Sequence, residues 1–155
     1  MKKKLLVSIV LFIIVLNCYV LAEPVIPKVS VELINNTESN LGDVFGYNIK
    51  EGIRNSTSMK LSTGLNENRI ILRIGSIDIP PNNNMIAYSA VWLLANDKRS
   101  LFINDCIGYT GSNVVEQAAQ YVIAQTDKIM TEYKTFFKTK KNIFDGIKLP
   151  DSASN

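Results

Sequence analysis

The chain has 155 residues, with 17 Lys and Arg, 14 Asp and Glu, and a formal net charge of +3. These totals are typical of one ordinary globular domain. Histidine is absent, and with it the commonest general base, the commonest metal ligand and the usual partner of a nucleophilic serine or cysteine. The composition therefore excludes most familiar hydrolase mechanisms.

Residues 1–22 have the pattern of a secretory signal peptide. Lysines at positions 2–4 precede an apolar run over residues 5–16, and Ala22 stands at the expected cleavage point. The apolar run is shorter than the roughly 20 residues that span a bilayer, which favours cleavage over a retained anchor. Cleavage also removes the net positive charge, because 14 basic residues then balance 14 acidic ones. A mature chain of zero net charge gives no reason to expect nucleic-acid binding.

The two cysteines bear on export. Cys18 ends the apolar run, where bacterial lipoproteins carry their acylated residue, so lipidation at Cys18 is the alternative to cleavage after Ala22. Asn17 stands where that motif has Gly, Ala or Ser. After cleavage Cys106 is the only thiol. It is expected to pack as a small apolar side chain in a strand, with an intermolecular disulfide through Cys106 as the alternative.

The first predicted elements of the mature chain are a strand and a helix. Residues 29–34 alternate in polarity, which predicts a half-buried strand. Ser39 or Asn40 is expected to cap a helix that carries Asp43 in its first turn and ends near residues 55–57. Its apolar stripe comprises Leu41, Phe45, Ile49 and Ile53, with Val44 beside them.

A set of consecutive strands follows. Residues 59–65 predict a short strand, and residues 66–68 a turn that returns into the clearest strand of the chain. The two faces of that strand are Ile70, Leu72 and Ile74 on one side and Arg69, Ile71 and Arg73 on the other. Gly75 is expected to mark a bulge, and residues 80–84 an exposed turn.

A hairpin and a long helix complete the predicted domain. Residues 85–95 predict a central strand with Tyr88 and Trp92 on one face, and residues 96–98 reverse the chain into a strand over residues 100–109. Asn113 and Glu116 resemble a capping box that opens a helix from Val114 to about Lys138. Residues 149–155 are expected to form a flexible polar tail.

This order of elements predicts an α+β fold. Consecutive strands with helices on one face make a two-layer sandwich, here with a mainly antiparallel sheet of four to five strands and a long C-terminal helix. The expected organisation is a signal peptide over residues 1–22, a single domain over residues 23–148 and the tail.

One face of the predicted sheet is the most informative candidate site. If both helices cover the side that carries Ile70, then Arg69 and Arg73 lie on the open side, where Tyr88 and Trp92 could join them. Arg, Tyr and Trp dominate binding hot spots, so these four residues are the predicted partner-binding set. The alternative is that Trp92 belongs to the core and the arginines are solvated.

The basic end of the long helix is a second candidate surface. It carries Lys134, Lys138, Lys140 and Lys141. Lysines in a last helical turn complement the helix macrodipole and need no ligand. The alternative is peripheral contact with an anionic membrane or an acidic partner.

No catalytic residue, metal site or cofactor is assigned from the sequence. The acidic residues are scattered singly, without the spacing of a calcium loop, and phosphate-binding glycine loops and serine elbows are absent.

The strand over residues 29–34, the helix with Ile49 and Ile53, the stretch over residues 58–61, the hairpin set and the closing helix together resemble a known group of domains. These are the small α+β domains of bacterial envelope proteins, such as the amino-terminal domain of the TolB family and the CsgG/LpoB-type lipoproteins. The resemblance implies a non-enzymatic periplasmic module that binds another envelope protein. The poor lipoprotein box at Cys18 departs from that pattern and leaves the partner unspecified.

Three functions follow as hypotheses. The first is an exported envelope protein that acts in the periplasm, or after secretion, as a protein-protein interaction or assembly module. The second is an exported carrier of a small molecule or lipid, with a pocket between the sheet and the long helix. The third is an enzyme that uses only carboxylates, tyrosine and lysine.

Overall fold

The computed structural model describes residues 28–62, 68–81, 84–134 and 137. Within these residues five strands and two helices follow one another. They are β1 (Val29–Thr37), α1 (Asn40–Asn55), β2 (Met59–Leu61), β3 (Arg69–Asp78), β4 (Met85–Ala95), β5 (Ser100–Gly111) and α2 (Val115–Glu132). The predicted signal peptide and the predicted tail lie outside the described residues.

The strands form one sheet in the order β2-β1-β3-β4-β5. Both helices contribute to a single core on one face of this sheet, which confirms the α+β two-layer fold. The sheet is mixed, because β1 runs parallel to β2 and β3 while β3, β4 and β5 form antiparallel pairs. β2 therefore does not pair with β3 as predicted. It pairs with β1 and forms one edge of the sheet, while β5 forms the other edge.

Alternation along β3 explains which side of the sheet is buried. Ile70, Leu72 and Ile74 are buried against the helices, as expected for the apolar face of a strand. The predicted bulge at Gly75 is wrong, because the pairing of β3 with β4 continues unbroken through Gly75 and Ser89. Ile77 lies on the face opposite the helices and is 63% exposed. The one register shift between β4 and β5 lies instead at Trp92 and Leu93.

α1 begins as the sequence predicts. Ser39 is the N-cap, and its hydroxyl accepts a hydrogen bond of 3.0 Å from the backbone N–H of Gly42. Asp43 in the first turn accepts a hydrogen bond of 2.8 Å from the hydroxyl of Thr37, which ties the start of the helix to the end of β1. Phe45, Ile49 and Ile53 of the predicted stripe are buried, Leu41 is half-buried, and Val44 beside them is exposed.

α2 begins and ends differently from the prediction. Its N-cap is Val114, which makes no side-chain capping bond, so the capping box of Asn113 and Glu116 does not form. The backbone N–H of Val114 instead donates to the carbonyl of Gly111 across a tight turn. The regular helix ends at Glu132 because Tyr133 leaves the helical conformation, with φ −100° and ψ 20°, and Lys134 and Phe137 beyond it are again helical. Neither helix has the length and hydropathy needed to span a bilayer.

Glycines bring α1 close to the sheet. A Cβ atom added at Gly42 would collide with the hydroxyl of Ser76 and come within 2.9 Å of the Cβ of Thr37. One turn later, a Cβ atom at Gly46 would overlap the side-chain amide of Asn35. The two glycines therefore form a side-chain-free strip on α1 that lets the helix backbone approach β1 and β3, while Phe45 between them enters the core.

We expect Gly42→Ala to lower the free energy of unfolding by about 1–3 kcal/mol, because the new methyl group must displace short, packed side chains. Gly52→Ala is the matched control in the same helix. Its methyl group meets only the Ile123 side chain, which can turn away. Urea denaturation of both variants measures the difference. A loss at Gly52 as large as at Gly42 would contradict the close-approach argument.

Candidate functional site

The face of the sheet opposite the helices is covered by no described element. We call the part of it on β3, β4 and β5 the open face. It consists of the odd-numbered residues 71–77 of β3 and 85–93 of β4, together with Phe102, Asp105, Ile107 and Tyr109 of β5. Ile107 is 75% exposed, Tyr109 70% and Phe102 58%. The open face therefore presents large apolar and aromatic side chains to solvent along an entire strand.

Two charged side chains lie in the middle of the open face. Arg73 on β3 pairs with Val91 on β4, and Val91 pairs with Asp105 on β5. Adjacent strands are about 4.8 Å apart, so the backbones of Arg73 and Asp105 are separated by about 10 Å. Both residues are exposed, and within the described part of the chain neither side chain takes part in a hydrogen bond or ion pair. The open face thus carries one positive and one negative group, both available.

The structure separates the four residues predicted as a partner-binding set. Trp92 pairs with Leu72, and Tyr88 pairs with Ser76, so both aromatic side chains point to the helix-covered side of the sheet. Trp92 is 0% exposed and Tyr88 is buried. Their placement on the open face is wrong, and the alternative that made Trp92 a core residue is correct.

Trp92 is held by a buried hydrogen bond. Its indole N–H donates to the hydroxyl of Thr126 on α2 at 2.9 Å, and that hydroxyl donates in turn to the carbonyl of Val122 at 2.8 Å. Tyr88 stacks at an angle on Phe45 of α1, with ring centroids 4.6 Å apart. The two aromatic residues therefore join β4 to both helices.

The two arginines have different environments. Arg69 is buried, its Nε atom is 2.6 Å from a carboxylate oxygen of Glu32, and its Nη1 atom donates to the carbonyl of Asn96 at 3.4 Å. These contacts give Arg69 a structural position between β1 and the β4–β5 turn. Arg73 is the one member of the predicted set that stands exposed on the open face.

The exposed side chains of β5 were not among the residues predicted for the binding surface. Asp105, Ile107 and Tyr109 recur with period two, and that period is the signal that could have grouped them. The register shift near Trp92 interrupts the alternation, because Leu93 pairs with Phe102 whereas Trp92 pairs with Asn104. Phe102 and Asp105 consequently share a face although they are three positions apart, which strict alternation would place on opposite faces.

Cys106 is a free, half-buried thiol on the helix-facing side of β5. Burial raises the pKa of the Cys106 thiol, and the neighbouring Asp105 carboxylate raises that pKa further. A hydrogen bond with the backbone of Ala90 acts in the opposite direction. The net shift disfavours the thiolate, which is the reactive form.

A groove of about 640 Å³ lies on the other side of the protein, between the end of α1 and the first half of α2. Its lining is mostly polar and includes Glu51, Glu116 and Asp127. The Asp127 carboxylate accepts a hydrogen bond of 2.7 Å from Ser58, so it is engaged in the fold. Pockets for lipids are mainly apolar, and this lining does not have that character. No group of three or more acidic or cysteine side chains suited to a metal ion occurs within the described residues.

The lysine cluster falls largely beyond the described residues. Lys134 follows α2 and is exposed. Lys138, Lys140 and Lys141 lie outside the residues that the structure describes.

Comparisons with known proteins give weak structural likeness only. No family model and no curated protein matches the sequence. A hypothetical protein from Chlamydia trachomatis has 13% identity and a TM-score of 0.37, over 53% of this chain and 70% of that chain. A minor lipoprotein from Acinetobacter baumannii has 11% identity and a TM-score of 0.36, over 64% of this chain and 92% of that one.

A DUF330-family protein from Xanthomonas campestris has 11% identity and a TM-score of 0.37, over 74% of this chain and 90% of that one. TM-scores of this size assign no function to the present chain. The TolB and LpoB resemblance suggested by the order of elements is not confirmed by these neighbours.

Replacing Thr126 tests the buried hydrogen bond of Trp92. We expect Thr126→Val to lower the free energy of unfolding by about 1–3 kcal/mol, because the indole N–H is left buried without an acceptor. Thr131→Val is the control, since Thr131 also bonds a carbonyl four residues back on α2 but is exposed. Thermal and urea denaturation should show little change for it. Equal losses would attribute the effect to helix propensity.

The raised pKa of Cys106 predicts slow alkylation. We expect the rate of reaction of the folded protein with iodoacetamide to reach half its maximum at a higher pH than the rate of a short cysteine peptide, since less thiolate is present at each pH. Mass spectrometry of the carbamidomethylated protein over a pH series measures this. A midpoint below that of the peptide would indicate an activated thiol and contradict the structural interpretation.

Proposed function

We propose that this chain is an exported, non-enzymatic protein of the bacterial envelope that acts in the periplasm as a protein-protein interaction or assembly module, and that its partner binds the open face. The carrying observation is the exposure, on one face of the sheet, of Phe102, Ile107 and Tyr109 on β5 and of Ile77 and Arg73 on β3, across β4. Soluble monomers rarely expose contiguous apolar patches of this kind unless the patch is an interaction site.

The composition of the open face supports protein recognition. Its exposed residues include Tyr109, Phe102 and Arg73, and these aromatic and arginine side chains are enriched at the centres of protein interfaces. Arg73 can form a forked pair with a carboxylate of a partner. The open face thus combines apolar contact area with two charged side chains, Arg73 and Asp105, that can fix the orientation of a bound partner.

The sheet holds this surface ready for binding. β4 is hydrogen-bonded on both sides, to β3 and β5, and its other face is anchored in the core by Trp92. The backbone that carries the exposed side chains is therefore already ordered, which lowers the entropic cost when a partner binds. A preorganised apolar face therefore favours recognition of a folded partner.

The charges of the open face do not form a catalytic pair. Asp105 is its carboxylate and Arg73 its cation, about 10 Å apart across two strands. A guanidinium stays protonated and does not act as a general base. A lone carboxylate without a nucleophile or a second acid-base group nearby supports binding better than catalysis.

The proposed location follows from the sequence. The basic start and apolar run of residues 1–22 support export to the periplasm, with secretion and lipidation at Cys18 as the alternatives. The exposed Lys134 is available for peripheral contact with an anionic membrane surface, and the sequence places Lys138, Lys140 and Lys141 close after it.

A pull-down with matched tyrosine variants tests the proposal. The tagged mature protein is mixed with gently solubilised envelopes of its host, and bound proteins are identified by mass spectrometry. We expect Tyr109→Ser to reduce recovery of a stoichiometric partner about tenfold or more, because an exposed aromatic contact is lost. Tyr47→Ser is the control, since Tyr47 on α1 is 60% exposed but lies away from the open face.

Both variants should keep the melting temperature of the wild-type protein, so a difference in recovery reports binding. Equal recovery with both variants, or equal loss with both, would contradict the assignment of partner binding to the open face.

A further inference from the structure

We propose that the open face binds a second copy of this chain, face to face, around a two-fold axis that passes over Val91 and runs parallel to β4. The inference rests on the proposed function, because it takes the open face as the binding surface and names the partner. Its basis is the arrangement of charge and side-chain size across β3, β4 and β5.

The charges select this axis. Arg73 and Asp105 lie one strand to either side of Val91 in the same row of the sheet. A half-turn about an axis along β4 exchanges the positions of β3 and β5, so Arg73 of each copy faces the partner's Asp105. Two symmetric ion pairs result from one row of residues. A two-fold axis across the strands would instead bring Arg73 against Arg73 and Asp105 against Asp105, which is repulsive.

Side-chain size follows the same symmetry. The neighbouring row runs from Gly75 through Ser89 to Ile107. Ile107 is the most exposed large apolar side chain within the described residues, at 75%, and Gly75 has no side chain. The same half-turn places Ile107 over the partner's Gly75, so a projecting residue meets a gap.

The row on the other side of Val91 has an analogous match. It runs from Ile71 through Leu93 to Phe102. Phe102 is 58% exposed, whereas Ile71 is buried. The half-turn places Phe102 over the partner's Ile71. In these two rows the β5 side chain projects further than its β3 counterpart, and the two-fold axis sets one against the other. In the row of Ile77, Ala87 and Tyr109 the half-turn instead brings two exposed side chains together, Tyr109 over the partner's Ile77.

The size of the surface sets the expected affinity. Three strands about 4.8 Å apart and about 35 Å long give a footprint of roughly 500 Å² on each copy. Roughly 1,000 Å² in total is at the lower limit of specific interfaces. Each sheet also twists along its length, so contacts are best near Val91 and weaken towards the strand ends. We therefore expect a reversible dimer with a dissociation constant in the micromolar range.

Complementary charge variants test the axis directly. Arg73→Asp makes both central positions acidic, and Asp105→Arg makes both basic, so each variant alone should dimerise about tenfold more weakly or worse. In an equimolar mixture of the two, a heterodimer regains two ion pairs of opposite charge. We expect analytical ultracentrifugation of the mature protein to show two weakened homodimers, and native mass spectrometry of the mixture to show the heterodimer.

Lys128→Asp is the control for a change of charge alone. Lys128 is exposed on α2, on the other side of the sheet. This variant should dimerise like the wild-type protein, and circular dichroism should show all three variants folded.

Three results would overturn the dimer. The first is wild-type protein that stays monomeric at concentrations up to about 100 µM. If Tyr109→Ser still abolishes capture of an envelope protein in that case, the proposed function stands with a different partner. If no protein is captured either, both proposals fail, and a segment of this chain outside the described residues becomes the expected cover.

The second overturning result is a dimer that ignores both central charge changes. That outcome would indicate another contact, such as pairing of β5 edges, since Arg73 lies two strands away from that edge. The third is a mixture of Arg73→Asp and Asp105→Arg that forms no heterodimer, which would exclude the axis over Val91.

Discussion

The burial of Trp92 is the constraint on which the rest of the molecule depends. Its indole ring is enclosed between β4 and α2, and its N–H group is satisfied by Thr126. Because side chains alternate along a strand, this placement fixes which residues of β4 face the helices and which face solvent. The register of β4 with β3 and β5 then fixes which residues of those strands lie on the same side, so the burial of one indole determines which residues form the open face.

Much of the fold was predictable because its signals are local. The alternation of β3, the cap of α1 at Ser39 and the hairpin of β4 with β5 each depend on a few neighbouring residues. Pairing is not local, and the parallel position of β1 between β2 and β3 leaves no mark in the pattern of any one strand. The close approach of α1 was missed for a related reason, since Gly42 has meaning only beside Ser76.

The candidate site shows the same division. The alternation of each strand places Arg69 and Arg73 on one face of β3, and Tyr88 and Trp92 on one face of β4. In the structure the two residues of each strand do share a face. The relation between the two strands was wrong, because it depends on register: Leu72, not Arg73, pairs with Trp92. In β5 the shift near Trp92 brings Phe102 onto the face of Asp105. A single irregular position thus conceals an exposed surface from any analysis that assumes strict alternation.

The neutrality of the predicted mature chain makes an uncovered apolar face costly. With no net charge to keep molecules apart, exposed Ile107 and Tyr109 favour association. Contact between different patches would propagate into filaments, whereas a surface that is complementary to itself closes after two copies. The central Arg73 and Asp105 supply that self-complementarity, because they are exchanged by a two-fold axis along β4 and repel in the other in-plane two-fold arrangement. Charge on this face therefore acts chiefly to select one closed geometry, while the apolar side chains around it supply the contact area.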